Sequence, residues 1–223
     1  MLKARILTAL VMLPVALMVL FVVPEDAFAM CVGLIVLIGA WEWIRLSGLV
    51  GQILTGALLV IFSCILIGCY ALPGVYVPML LGIGCLFWLA AAAIVVMYPR
   101  SREQIGGKQM KLGFGLLVLI PAYVALLFLR RHEAHVLLIA LLVTIIWAAD
   151  VGAYFVGRQF GTRKLAPCVS PGKSWAGLVG GMVVALAVGM VGASLGEPTD
   201  RLFSPIAWAT LMGIVTMTVL FSV

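Results

Sequence analysis

From Leu46 to Pro99 the chain carries no charged side chain, a run of 54 residues. A membrane-spanning helix takes about 20 apolar residues. The run therefore holds two such helices, split at the breaker Leu72-Pro73-Gly74. The rest of the sequence has the same character: 65% of its 223 residues are hydrophobic and 10% are charged. A soluble domain averages about 45–50% apolar and about 25% charged. This composition excludes a disordered chain, a coiled coil and an ordinary cytosolic enzyme. It leaves an all-α, polytopic membrane helix bundle, in which each span satisfies its own backbone.

The charge-poor stretches predict eight spans: Ile6–Val23, Ala27–Leu46, Ile53–Leu72, Val75–Tyr98, Leu112–Leu129, Ala134–Gly157, Trp175–Leu195 and Pro205–Val223. They form a single integral membrane domain over 1–223, with N-terminal helices in 1–111 and a loop-bearing half in 112–223. Ala27-Phe28-Ala29 resembles a signal-peptidase site, but the 18 residues from Ile6 to Val23 exceed the usual core of about 7–15 residues, so a retained helix is expected. With the N-terminus inside, the cytoplasmic loops collect eleven Lys and Arg residues. The opposite side keeps three: Arg130, Arg131 and Arg201. That asymmetry predicts a cytoplasmic N-terminus. The net charge of +6 thus marks membrane orientation and not nucleic-acid binding.

Helix seven repeats small residues every fourth position: Gly177, Gly181, Ala185, Gly189 and Ala193. Such a stripe lets another helix backbone approach closely. The five cysteines contain no CxxC pair and read as free thiols.

Chemistry concentrates in residues 150–175. Asp150 is an acid inside an apolar helix, where insertion costs about 2.5–3.5 kcal/mol. It stands eight residues before Arg158, roughly 12 Å from that helix end. Asp150, Tyr154, Gly157 and Gly161 are spaced to share one face if the helix runs that far. Three readings of the acid stay open: a Mg²⁺ ligand completed by substrate phosphates, a proton or ion relay, or a structural partner for a basic residue. The loop beyond carries Arg158, Arg163, Lys164 and Lys173 and no acid. Either it is a cytoplasmic anchor, or it grips anions. For the second reading, Ser170 is an expected N-cap and Pro171 an expected first helical residue. The free N–H groups of that helix start would then join Lys173 in an anion site. Gly172-Lys173-Ser174 mimics a phosphate-binding loop, but Pro167 stands where that motif needs glycine. Trp41-Glu42-Trp43-Ile44-Arg45 reads as an interfacial anchor with an i, i+3 Glu42–Arg45 pair, or as part of a site. His132 and His135 read as solvated loop.

The run from Asp150 through Gly152-Ala153-Tyr154-Phe155, Gly157-Arg158, Phe160-Gly161, Lys164-Leu165-Ala166-Pro167 and Ser170-Pro171-Gly172-Lys173-Ser174-Trp175 resembles the phosphatidate cytidylyltransferase family (CDP-diacylglycerol synthases). Trp41-Glu42-Trp43 and the N-terminal layout look like bacterial members. The resemblance implies transfer of a cytidylyl group from CTP to phosphatidate in phospholipid biosynthesis, giving CDP-diacylglycerol and pyrophosphate, at a bacterial cytoplasmic membrane. It implies Asp150 as metal ligand and, with Lys173, as catalytic residue. Mg²⁺ is the expected cofactor, with a second cation beside it left open. Arg158 and Lys164 would join Lys173 in neutralising phosphates. Ser170 and Ser174 would donate hydrogen bonds, and Tyr154, Pro171 and Gly172 would line the substrate. A homodimer is left open. Two departures stand out. Ala176 replaces a usual acid, and the sequence ends at Val223 before the family's C-terminal signature, so it looks like a shortened member. The competing readings are a proton- or ion-coupled transporter using Asp150 and Glu42, and an inactive lipid-binding remnant.

Overall fold

The computed structural model describes residues 14–48, 51–96, 107–167 and 170–195. Six long helices follow one another: α1 (Glu25–Leu46), α2 (Gln52–Tyr70), α3 (Val77–Val96), α4 (Lys108–Arg130), α5 (His135–Phe160) and α6 (Trp175–Leu195). All six are long and apolar enough to cross a membrane. They match the second to seventh expected spans, with α4 and α5 longer by several residues at one end. Residues 14–21 are also helical. The remainder of the first expected span, Ile6–Val23, and all of the eighth, Pro205–Val223, lie outside the described residues.

The bundle is inside-out by soluble standards. Leu34, Ile35 and Ile38 of α1 and Ile53 and Ile67 of α2 are each at least 60% exposed. An apolar exterior of this extent needs an apolar surrounding. The interior is built where side chains are small or complementary. Phe28, Val32, Val36 and Ala40 of α1 pack with Phe62 and Leu66 of α2, Val77 and Leu81 of α3, and Tyr123, Val124 and Leu127 of α4. Pro121 lies within α4, where its ring removes one backbone donor. It fits against α3 because Gly84 faces it: a Cβ there would lie 2.7 Å from the Pro121 Cβ.

Two helix ends are tied by charge. Glu25 and Asp26 open α1 and complement its dipole. Arg131, just after α4, pairs with Glu25 at 2.8 Å and donates to the Tyr70 carbonyl at 2.8 Å. The Tyr70 hydroxyl donates to Asp26, and Arg130 donates to the Val23 carbonyl. This accounts for Arg130 and Arg131, the pair that stood apart from the basic loops: they knit α1, α2 and α4 together at their shared end. At the opposite end the Trp43 indole donates to the Lys111 carbonyl at 2.7 Å, which joins α1 to the start of α4. The expected Glu42–Arg45 pair does not form. The i, i+4 spacing instead sets the Arg45 guanidinium over the Trp41 ring, 4.9 Å from its centroid.

The helices α5 and α6 make the most extensive contact in the bundle. Ile145 and Ala149 meet Ala185, flanked by Leu141, Ala153, Leu178 and Val188. The expected small-residue seam is present and reaches beyond the four-residue stripe. A Cβ at Gly180 would fall 2.5 Å from the Val156 Cβ, and one at Gly152 would fall 2.8 Å from a Val184 methyl. Glycine on both helices is what permits this approach.

Candidate functional site

Between α5 and α6 the chain forms a two-stranded antiparallel hairpin, β1 (Lys164–Ala166) and β2 (Ser170–Ser174), with Lys164 opposite Ser174 and Ala166 opposite Ser170. This corrects the expected helix start. Ser170 is not an N-cap and Pro171 is not a first helical residue; both belong to β2. Extended backbone is natural there, because the residue before a proline is disfavoured in the helical region. The cap is Ser174, whose Oγ accepts the Gly177 N–H at 3.1 Å. The Trp175 N–H donates to the Arg163 carbonyl at 3.1 Å. Two of the first N–H groups of α6 are therefore already satisfied, and the anion-binding capacity of the region rests more on side chains than on the helix start.

The hairpin is held on both sides. Leu165 is 6% exposed and packs against Trp88 and Ala92 of α3 and Leu178 of α6. Ser174 is 5% exposed and wedged between helices: Cβ atoms added at Gly157 or Gly177 would each lie 3.2 Å from its Oγ. These glycines keep α5 close to the first turn of α6. Gly161 follows the end of α5 and also faces the Ser174 hydroxyl. Of the four residues expected on one face, Gly157 faces α6 and Gly161 faces Ser174, while Tyr154 stands at the open edge and is 53% exposed. Its hydroxyl accepts a hydrogen bond from Arg158 at 3.1 Å.

Asp150 is half-buried, and its Oδ1 is buried without a hydrogen-bond partner. A buried polar atom lacking a partner costs free energy, which makes Asp150 a candidate ligand-binding position in this apolar helix. Lys173 of β2 is the nearby cation. Burial pushes its ammonium pKa below the usual lysine value, and the negative charge of Asp150 opposes that shift. The packing of α5, hairpin and α6 thus places the lysine within electrostatic reach of the acid. Lys164, Arg158, Pro171 and Gly172 are exposed, and Ser170 is half-buried. The site accordingly has a charged floor, Asp150 with Lys173, and a cationic rim.

Among the described residues no group of three or more His, Cys, Asp or Glu side chains gathers in one place. His132 and His135 are occupied locally: the His132 Nδ1 accepts the Ala134 N–H, and the His135 ring bonds the His132 carbonyl. The orphaned carboxylate oxygen of Asp150 does fit a hard cation such as Mg²⁺, which commonly takes one or two carboxylates and fills its remaining positions with phosphate oxygens and water. Sequence reasoning missed Leu165 and the capping role of Ser174. The alternation Lys164-Leu165-Ala166 carried the signal for the first, as one apolar side chain turned inward from a short strand.

A family model described as the cytidylyltransferase family matches residues 3–223. The phosphatidate cytidylyltransferase of Pseudomonas aeruginosa is 44% identical over 183 residues, covering 82% of this chain and 67% of the relative. The enzyme of that name from Haemophilus influenzae is 33% identical over 213 residues, covering 86% and 72%. The one from Brucella suis is 31% identical over 208 residues, covering 87% and 68%. No solved structure matches the chain. These names agree with the transferase reading of the sequence and not with the transporter one.

Proposed function

The chain belongs to the cytidylyltransferase family, and we propose that it is a phosphatidate cytidylyltransferase, transferring the cytidylyl group of CTP to phosphatidate. A phosphate oxygen of phosphatidate attacks the α-phosphorus of CTP. The bond from that phosphorus to the bridging oxygen of the β-phosphate breaks, CDP-diacylglycerol forms and pyrophosphate leaves. The observation that carries the reading is the partnerless buried oxygen of Asp150 within electrostatic reach of Lys173.

The reaction joins two polyanions, so positioning and charge neutralisation supply most of the catalysis. Lys173, as the less exposed cation, meets the reacting phosphates. Arg158 and Lys164 neutralise the outer phosphates from the rim. Tyr154, fixed by Arg158, orients the substrate at the open edge, and Ser170, Pro171 and Gly172 border it with backbone and hydroxyl groups. Ser174 supports the floor from below. Asp150 would hold Mg²⁺, with a second cation left open; when bound, the ion would offset phosphate charge and polarise a phosphoryl oxygen. Among the described residues, seven basic ones at one end of the bundle, against Arg130 and Arg131 at the other, support a site on the cytoplasmic face of a bacterial inner membrane, in an eight-span domain with its N-terminus inside. A homodimer is compatible with this architecture.

The test is incorporation of radiolabelled CTP into extractable lipid by membranes carrying the chain. Wild type is expected to form liponucleotide when phosphatidate and Mg²⁺ are supplied. Asp150→Asn, which keeps shape and loses charge, should reduce the rate by about 100-fold or more. No liponucleotide from wild type would remove the activity. Full activity in Asp150→Asn would remove the site.

A further inference from the structure

A cavity of about 110 Å³ opens between α1, α2 and α4, lined wholly by apolar and aromatic residues and glycine, among them Ala40, Trp43, Phe62, Ile65, Leu116 and Leu119. None of its lining comes from α5, the hairpin or α6, so it is separate from the Asp150–Lys173 floor. We propose that this cavity holds part of one acyl chain of an anionic phospholipid whose phosphate is met by Lys108 and Lys111.

Helix geometry supports the pairing of oil below and charge above. On α4, Leu112, Gly115, Leu116 and Leu119 face the cavity. Lys108 precedes Leu112 by four residues and Lys111 precedes Gly115 by four, which places each lysine one turn above a lining residue on the same face. Leu119 is eight residues beyond Lys111, so the floor lies roughly 12 Å below the lysine level. That depth falls within one hydrocarbon leaflet of about 15 Å, half of a core of about 30 Å. The Trp43 indole closes the top of the wall and donates to the Lys111 carbonyl, the position a tryptophan favours between acyl chains and headgroups. Gly115 makes room for it: a Cβ there would lie 2.6 Å from the indole. Lys108 reaches the end of α1, its Cε 3.8 Å from a Cβ built at Gly48. An engineered apolar cavity of about 150 Å³ accepts benzene, so this one takes a few methylene groups of a single chain. The positive charge of Lys108 and Lys111 favours an anionic headgroup over a zwitterionic one.

The test uses Asp150→Asn, which makes the readout independent of turnover. The purified chain is placed in phosphatidylcholine vesicles with a trace of phosphatidylglycerol, phosphatidate or phosphatidylcholine bearing a mid-chain diazirine. After photolysis, labelled peptides are identified by mass spectrometry. Phosphatidylglycerol and phosphatidate should label the cavity walls on α2 and α4 at least about five-fold more than phosphatidylcholine, given the attraction of lysines at an anionic surface. The paired change Lys108→Gln and Lys111→Gln should bring that ratio close to one. Leu116→Trp, at the partly exposed edge of the mouth, should cut labelling at Phe62 and Leu119 while helix content by circular dichroism stays the same. Equal labelling by phosphatidylcholine, label confined to the outer face of α1, or an undiminished ratio after removal of both lysines would overturn the proposal. Labelling by phosphatidate alone would overturn it too, since two lysines that read charge cannot make that choice.

Discussion

Leu165→Ala isolates what the hairpin does, because Leu165 is the apolar anchor of β1, the strand paired with the one that carries Lys173. Its side chain is 6% exposed, between Trp88 and Ala92 on one side and Leu178 on the other. Truncation removes three carbons at about 0.8 kcal/mol each, and the residual void adds to this, so docking weakens by about 2–3 kcal/mol. The loss falls on the hairpin and not on the spans, whose own cores do not include Leu165. A change of about 2 kcal/mol raises the undocked population about 30-fold. Trypsin reads that population directly. Arg163 and Lys164 have exposed side chains, but their backbone lies at the start of a paired strand and must open to be cut. Cleavage there, in membranes with this face accessible, should accelerate about 30-fold. The KM for CTP should rise together with it, because Lys173 leaves Asp150 when the hairpin lifts. Leu165→Met conserves volume and should restore both. Unchanged trypsin kinetics with unchanged KM would refute a docking role. Lost activity with unchanged trypsin kinetics would place the effect elsewhere.

Gly180→Val should lower the thermal transition in detergent by the cost of overpacking, about 1–3 kcal/mol, since a Cβ there lies 2.5 Å from the Val156 Cβ. Gly172→Ala, with open space around its Cα, should leave that transition unchanged. In the proposed role Lys173 would need its proton to neutralise phosphate, and burial lowers its pKa. The alkaline limb of kcat/KM should therefore begin below the ordinary lysine value of 10.5, and Lys173→Arg should move it upward. The same depressed value means that the folded state binds this proton less readily than the unfolded chain. The contribution of Lys173 to stability should therefore rise as pH climbs through its folded pKa, which a denaturation series against pH would show. Glu25→Gln should cost less than about 1 kcal/mol of stability, because its ion pair with Arg131 is partly exposed.

Hydropathy located six of the helices within a few residues, because a spanning helix must satisfy its backbone internally and its length is set by the bilayer. The small-residue seam was legible for the same reason: a repeat at helical spacing survives any choice of partner. Asp150 and Lys173 could be nominated as a charged pair in a sparse background, but their meeting depends on the turn between α5 and α6, and there the sequence misled. Ser170-Pro171 has the chemistry of a helix start, and the same two residues sit as readily in an extended strand. Pairing of Ser170 with Ala166 and of Lys164 with Ser174 decided between these, a contact that no local preference contains. Glu42 and Arg45 failed likewise: spacing permitted an ion pair, and the aromatic ring one residue earlier competed for the same guanidinium.

The juxtaposition also explains how an acid can reside in so apolar a helix before any substrate arrives. A lone carboxylate near the middle of a span costs about 2.5–3.5 kcal/mol to insert, which is a large part of the stability of an ordinary domain. The charge of Lys173, delivered by a strand and not by another span, offsets part of that cost from the aqueous side. A lysine on a neighbouring helix would require two buried charges to be inserted and would hold them in fixed register, leaving no way for an incoming ligand to take over. A hairpin anchored by Leu165 and by the wedged Ser174 would let the ammonium turn from carboxylate to phosphate when a ligand arrives. One oxygen of Asp150 is left unpaired even with Lys173 nearby. The lysine therefore lessens the electrostatic cost without filling the carboxylate's coordination, and a cation that brings phosphate with it would satisfy both groups at once.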